Sequence, residues 1–178
     1  MKIDKIPGSI DEFIAMRDMT AHTPEGGLAC FIVALHHFSV GHPDGLSMMI
    51  ICRDINDLSQ SNAPGNYKGY TIGNSELQLT KMQLGKQNYI PASYFAGSAP
   101  ENNYTIPQNG AEFIMSTNAY SGDIASGRIK IYVLCSGAAT PRPATMVVND
   151  KGIWKVKEYS SLITGIQAPR SDQRQDNL

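Results

Sequence analysis

The sequence predicts an α+β fold in which N-terminal helices cover one face of a C-terminal antiparallel sheet. Helical periodicity dominates the first third of the chain, strand alternation dominates the last third, and the turn "NDKG" at 149–152 makes the last two strands antiparallel neighbours. A chain of 178 residues can bury an ordinary hydrophobic core within one domain. We therefore expect a single domain over residues 1–169 and a polar, disordered tail over residues 170–178.

Two helices are predicted close to the N-terminus. In "SIDE", Ser9 stands three residues before Glu12, and this capping box predicts a helix over residues 9–20. In "AHTPEGGLACFIVALHHFSVGH", Thr23 is the predicted N-cap and Pro24 takes the first position of a second helix that ends before Gly41. Apolar residues surround nearly the whole of this second helix, which is typical of a helix buried among other elements.

The middle of the chain gives weaker signals. "HPDGLSMMIICRDI" predicts a third helix with Pro43 in its first turn, whereas residues 59–75 are polar and glycine-rich and indicate a long surface connection. In "SELQLTKMQLG" helical and strand spacings compete, and Asn74 or Ser75 as an N-cap favours a helix. The proline-rich stretch that follows predicts an ordered loop with a short element around Tyr94.

Four β-rich runs form the predicted sheet: "AEFIMSTNAY", "GRIKIYVLCSG", "RPATMVVND" and "GIWKVKEY". Alternation in the second run places Ile129, Ile131 and Val133 on one face. Trp154 follows the "NDKG" turn between Ile153 and Val156, and we expect it to be substantially buried. Helices laid across a curved antiparallel sheet can enclose a pocket, as in the cone-shaped fold of nuclear transport factor two; this analogy rests on element order alone.

Composition and charge exclude several classes of function. The chain has a formal net charge of −1, so it lacks the basic field that attracts nucleic acid. Its longest apolar run, "LACFIVAL", is much shorter than the roughly 20 residues of a membrane span. The start "MKIDKIPGSIDEF" has no apolar signal-peptide region, so we expect a cytoplasmic bacterial protein. Three widely spaced cysteines indicate reduced core residues rather than a disulfide framework.

The residues that could support catalysis or metal binding are poorly spaced for either. His36 and His37 are adjacent and project about 100° apart on a helix, so they cannot share a metal ion as an i, i+4 pair does. No histidine follows His42, so a nucleophile at Cys135 or Ser160 would need a base from a distant part of the chain. We therefore expect no catalytic residue, no metal site and no cofactor.

Two sequence blocks carry a family resemblance. "SYFAGSAPENNYTIP" and "CSGAATPRPATMVVNDKGIWKVKEYSSLITGIQAP" together resemble a family of bacterial domains of unknown function. The resemblance covers residues 74–169 and is most specific in the second block. It implies a shared fold and carries no activity with it. Asn103 stands where the family pattern has glycine, a difference that bears on loop shape alone.

Two interpretations of function follow from the sequence. The first is a non-enzymatic module that binds a protein partner or a small ligand, because aromatic side chains and arginine are the usual anchors of such sites. Its candidate residues are Tyr94, Phe95, Tyr104, Arg142 and Trp154. The alternative is a hydrolase or transferase with a pocket between the helices and the sheet. Its available groups are Cys135, Ser160, His36 and Glu158.

Overall fold

Helices and antiparallel strands make up the computed structural model, which describes residues 1–173, so the α+β prediction is confirmed. The helices in this range are α1 (Ile10–Thr20), α2 (Pro24–Ser39), α3 (Gly45–Ile51) and α4 (Asn74–Lys86). The strands are β1 (Lys2–Ile3), β2 (Leu58–Gln60), β3 (Tyr70–Ile72), β4 (Ala111–Glu112), β5 (Met115–Ser116), β6 (Arg128–Val133), β7 (Arg142–Val148) and β8 (Trp154–Glu158).

Helix α2 is the centre of the molecule. The Thr23 hydroxyl accepts a hydrogen bond from the Gly26 amide at 3.1 Å, which caps the helix as its sequence predicts. The helix then packs against α1, α3 and strands β6 to β8, so nearly all of its side chains are buried. A Cβ atom on Gly27 would lie 2.6 Å from the Trp154 carbonyl oxygen. Glycine is therefore needed where α2 crosses β8.

The main sheet has the strand order β5-β6-β7-β8, and every neighbouring pair is antiparallel. Val148 pairs with Trp154 across the β7–β8 turn, where the Asn149 side-chain oxygen accepts from the Ile153 amide at 2.9 Å. Gly152 supplies the positive φ of +73° that this turn requires. The predicted hairpin is confirmed, and Trp154 is buried, with 6% of its surface exposed.

The outer edge of β8 is covered by other parts of the chain. The Trp154 amide donates to the Ala21 carbonyl at 2.7 Å, and the Val156 amide donates to the Cys52 carbonyl at 2.9 Å. Arg53 forms a parallel bridge with Val156. These bonds satisfy backbone donors that an open edge strand would expose, and they fix the ends of α1 and α3 beside β8.

Helix boundaries differ from the predictions by one or two residues, the usual uncertainty at helix ends. Ser9 caps α1 as predicted. Helix α3 begins at Gly45, two residues after Pro43, because the chain first forms a turn there. Helix α4 includes Asn74, so Gly73 occupies the N-cap position and the predicted side-chain cap is absent.

Two segments contain more strands than the sequence predicts. Residues 59–75 are not only a surface connection, because β2 and β3 pair there. Within the loop that joins these strands, Tyr67 and Tyr70 form a bridge across a tight turn at Lys68 and Gly69, with φ of +49° and +80°. The predicted strand "AEFIMSTNAY" splits into β4, which pairs with β1, and β5, which pairs with β6. Such short strands are too brief to give a clear alternation, so the sequence pattern could not resolve them.

The C-terminal end of the described region is partly ordered. Arg170–Asp172 form a short 3-10 turn, and the Ser171 amide donates to the Asn103 side-chain oxygen at 2.9 Å. The predicted tail over residues 170–178 therefore begins with a structured turn, and residues 174–178 lie outside the described part of the chain. Between residues 1 and 173, none of the helices combines the length and the apolar character that crossing a membrane requires.

Candidate functional site

Four of the five side chains predicted to bind a partner are buried in the core. The exposed fractions of Tyr94, Phe95, Tyr104 and Trp154 are 2%, 1%, 4% and 6%. Arg142 alone is partly accessible. These aromatic rings therefore do not form an open surface. A binding role for the five residues stays a prediction, and Arg142 is the one of the five whose side chain a partner could contact directly.

Three of these residues hold the segment Tyr159–Gln167, the C-terminal strap, against the sheet. The Tyr94 hydroxyl donates to the Leu162 carbonyl at 2.8 Å, and the Tyr104 hydroxyl donates to the Gln167 carbonyl at 2.6 Å. The Arg142 guanidinium donates to two further strap carbonyls at 3.5 and 3.2 Å. The "SYFAGSAPENNY" and "PRP" motifs are therefore explained by packing of the strap.

Among the residues that the structure describes, no hydrogen bond joins Cys135 or His36 to the Ser160–Glu158 pair. The Cys135 sulfur lies 3.1 Å from the Ser93 hydroxyl and is buried. The Ser160 hydroxyl donates to the Glu158 carboxylate at 2.6 Å, and this bond lowers the pKa of Glu158. A carboxylate with a lowered pKa is a weaker base. Over residues 1–173, no histidine forms a hydrogen bond with Cys135 or Ser160.

The histidines near the end of α2 lie close together. The rings of His37 and His42 are 4.8 Å apart, and those of His36 and His37 are 6.0 Å apart. His36 Nδ1 and His37 Nε2 are buried without a hydrogen-bond partner in the described chain. Within residues 1–173, no three or more histidine, cysteine or acidic residues form a group that could hold a metal ion.

Burial of His36 makes the stability of the protein depend on pH. Burial lowers the pKa of His36 from its ordinary 6.5 to about 4, so between these pH values the unfolded chain binds a proton more readily than the folded one. We expect the free energy of unfolding attributable to His36 to fall by about 2 kcal/mol between pH 7 and pH 5. Urea unfolding of the wild type and of His36→Gln at both pH values measures this difference.

His22→Gln is the matched control, because this substitution removes an exposed imidazole instead of a buried one. The burial of His37 also lowers its pKa, so His36→Gln should reduce the pH dependence without abolishing it. An equal pH dependence in the wild type and in His36→Gln would show that His36 does not cause the loss of stability.

A surface cleft of about 830 Å³ lies where α1 and α3 end, and the β2–β3 hairpin and the β7–β8 turn also line it. Five basic and three acidic residues line it, although the whole chain has a formal net charge of −1. We call it the basic cleft. Its basic residues are Arg17, Arg53, Lys68, Lys151 and Lys155, and its acidic residues are Asp18, Asp54 and Asp150.

The charged residues of the basic cleft fall into a buried and an exposed group. Arg53 is buried and pairs with the Glu76 carboxylate at 3.0 Å, and its guanidinium also donates to the Val156 and Lys157 carbonyls. Lys155 is buried as well, and burial lowers its pKa. In contrast, Lys68 and Lys151 are exposed.

Aromatic and aliphatic side chains line the basic cleft together with the charged ones. Tyr67 and Tyr70 contribute half-buried aromatic rings from the β2–β3 hairpin, and the Lys68 ammonium lies 5.3 Å from the centre of the Tyr67 ring. Isoleucine side chains from α3 and from the β7–β8 turn supply apolar surface. A cleft with flat apolar walls and a few charged groups can orient a small molecule.

A family model described as "Domain of unknown function (DUF6935)" matches residues 5–170. The chain belongs to this family. No curated protein and no solved structure matches the chain. The resemblance seen in the sequence is thereby confirmed, whereas the analogy with the cone-shaped fold of nuclear transport factor two is not confirmed.

Sequence reasoning missed the basic cleft of this DUF6935 domain because its residues come from four separated segments. Arg17, Arg53, Lys68 and Lys151 share no motif and no common periodicity. The one local signal was the pair of lysines at positions 155 and 157 in an otherwise apolar strand. Of these two lysines, Lys155 is buried, which strand alternation alone does not show.

Proposed function

We propose that this DUF6935 domain is a non-enzymatic binding module that holds a small anionic molecule in the basic cleft. The observation that carries the proposal is the excess of basic over acidic residues in the lining of a cleft of about 830 Å³. This volume lies within the range of roughly 300 to 1,000 Å³ typical of small-molecule sites.

The two exposed lysines are the groups best placed to recognise an anion. Among the ion pairs of residues 1–173, none involves Lys68 or Lys151. Two acidic residues of the lining are already engaged, because Asp18 lies 2.7 Å from the Arg17 side chain and Asp54 accepts from the Asn56 amide at 2.8 Å. Lys68 on the β2–β3 hairpin and Lys151 on the β7–β8 turn are therefore the lining residues that we expect an anion to contact.

Supporting the non-enzymatic interpretation, the lining of the basic cleft includes none of Cys135, Ser160, His36 and Glu158. A hydrolase or transferase built on those groups would need a different pocket. We also propose a cytoplasmic location for the protein, which is supported by three cysteines that are all buried and unpaired.

Calorimetric titration with malonate tests the proposal, with neutral malonamide as the matched ligand. We expect malonate alone to bind, and we expect the double variant Lys68→Ala, Lys151→Ala to weaken binding about tenfold, since each ion pair at an exposed site contributes up to about 1 kcal/mol. Added salt should weaken binding further.

The control for this experiment is the double variant Lys81→Ala, Lys86→Ala, which removes two exposed lysines from α4, outside the basic cleft. It should bind malonate like the wild type. Equal binding of malonate and malonamide, or equal weakening by both double variants, would contradict the proposal.

A further inference from the structure

Lys155 is a buried amine in the lining of the basic cleft. Only 9% of the residue is exposed, and its Nζ atom donates to the Ile51 carbonyl at the end of α3. In the described chain it pairs with no carboxylate. A buried ammonium group without a counterion is unfavourable, so this environment favours the neutral amine.

Some groups around Lys155 lower its pKa and others raise it. Burial is the largest effect and lowers its pKa, and the Arg17 guanidinium lowers it further. Cys52, Cys30 and Asp18 oppose these effects, and the net result is a pKa below the ordinary 10.5. A larger fraction of this amine is therefore neutral and nucleophilic than of an exposed lysine at the same pH.

We propose that Lys155 forms an imine with a small oxo acid held in the basic cleft. This inference deepens the proposed function, on which it rests, by naming the ligand class. The neutral Nζ attacks the carbonyl carbon and forms a C–N bond, and a proton moves from nitrogen to the carbonyl oxygen. The resulting carbinolamine loses its hydroxyl group and the remaining nitrogen proton together as water, which leaves the C=N bond of the imine.

An oxo acid fits because the basic cleft offers two different recognition elements. Lys155 lines the basic cleft together with Ile51 and Ile153, and its Nζ atom lies at the Ile51 carbonyl. Lys68 and Lys151, which are exposed, can pair with the carboxylate of the same molecule. A ligand that carries only one of these groups would use only half of the site.

Reductive trapping with glyoxylate and sodium cyanoborohydride at pH 7 tests this inference on the wild-type protein. Hydride from the reagent adds to the imine carbon and a proton from water adds to nitrogen, so a trapped lysine becomes a carboxymethyl-lysine. Peptide mass spectrometry at limited labelling measures each site. We expect severalfold more label on Lys155 than on the exposed Lys81 or Lys86.

Propionaldehyde and malonate test whether selective labelling of Lys155 depends on the carboxylate of the reagent. Propionaldehyde has a carbonyl group and no carboxylate, so its preference for Lys155 should be smaller than that of glyoxylate. An excess of malonate should suppress labelling at Lys155 and leave Lys81 unaffected. In Lys155→Arg, which keeps a donor for the Ile51 carbonyl, the selective label should disappear.

The outcomes distinguish this inference from the proposed function. If malonate binds in the basic cleft but Lys155 takes no more label than Lys81, the imine is overturned and the anion site stands. If Lys155 is labelled selectively but malonate neither binds nor competes, the reactive amine stands and the anion-binding proposal fails. Because the wild type alone gives the labelling ratio, a Lys155 variant that does not fold leaves the test intact.

Discussion

Trp154→Ala is expected to lower the free energy of unfolding by about 3 to 5 kcal/mol, the range for large aromatic truncations in a core. Trp154 is 6% exposed and begins β8, and its backbone lies against Gly27 of α2. Loss of the indole would leave a cavity that these backbone segments cannot fill, because hydrogen bonds hold them in place.

Urea unfolding followed by far-ultraviolet circular dichroism measures this loss, since the variant has no other tryptophan for fluorescence. Tyr120→Ala is the control, because Tyr120 is 85% exposed, and it should change stability by less than about 0.5 kcal/mol. Similar stabilities of the wild type and Trp154→Ala would mean that Trp154 is not packed as the structure shows.

The fold was predictable where local chemistry is strong and unique. Ser9 and Thr23 cap α1 and α2 at the predicted positions, and "NDKG" fixes the register of β7 and β8. The β2–β3 hairpin and the β1–β4 pair were missed, because strands of two or three residues contain too few positions to show alternation. Long-range pairing determines them instead.

The candidate site was less predictable, for a related reason. Aromatic residues and an arginine in a dense motif suggest a binding surface, but Tyr94 and Tyr104 donate instead to backbone carbonyls of the C-terminal strap. The strap has many carbonyls that no strand partner satisfies, and the hydroxyl groups meet that need inside the core. Sequence alone does not show whether a tyrosine hydroxyl faces water or a backbone carbonyl.

Arg53→Ala should lower the free energy of unfolding by about 3 kcal/mol, the lower end of the range for breaking a buried ion pair. Arg53 is 5% exposed and donates to the Val156 and Lys157 carbonyls and to Glu76. Its guanidinium carbon also lies 5.0 Å from the centre of the Tyr159 ring. Its loss leaves a partly buried carboxylate and two carbonyls without their donor.

Glu76 explains why the lower end of that range is expected. About a third of its side chain is exposed. Burial raises the pKa of Glu76 above its ordinary value, and the charge of Arg53 opposes part of this increase. Without Arg53 this carboxyl can take up a proton or reach water, which limits the cost. The double variant Arg53→Ala, Glu76→Gln should therefore lose less stability than the sum of its two single variants.

Denaturant unfolding of this double-mutant cycle at pH 7 measures the coupling between the two side chains. Arg128→Ala is the matched control, because Arg128 is an exposed arginine on β6, and it should change stability by less than about 0.5 kcal/mol. Additive losses in the cycle would show that Arg53 stabilises the fold independently of Glu76. Since Arg53 also lines the basic cleft, coupling to Glu76 would mean that a structural ion pair sets the position of one wall of the proposed binding site.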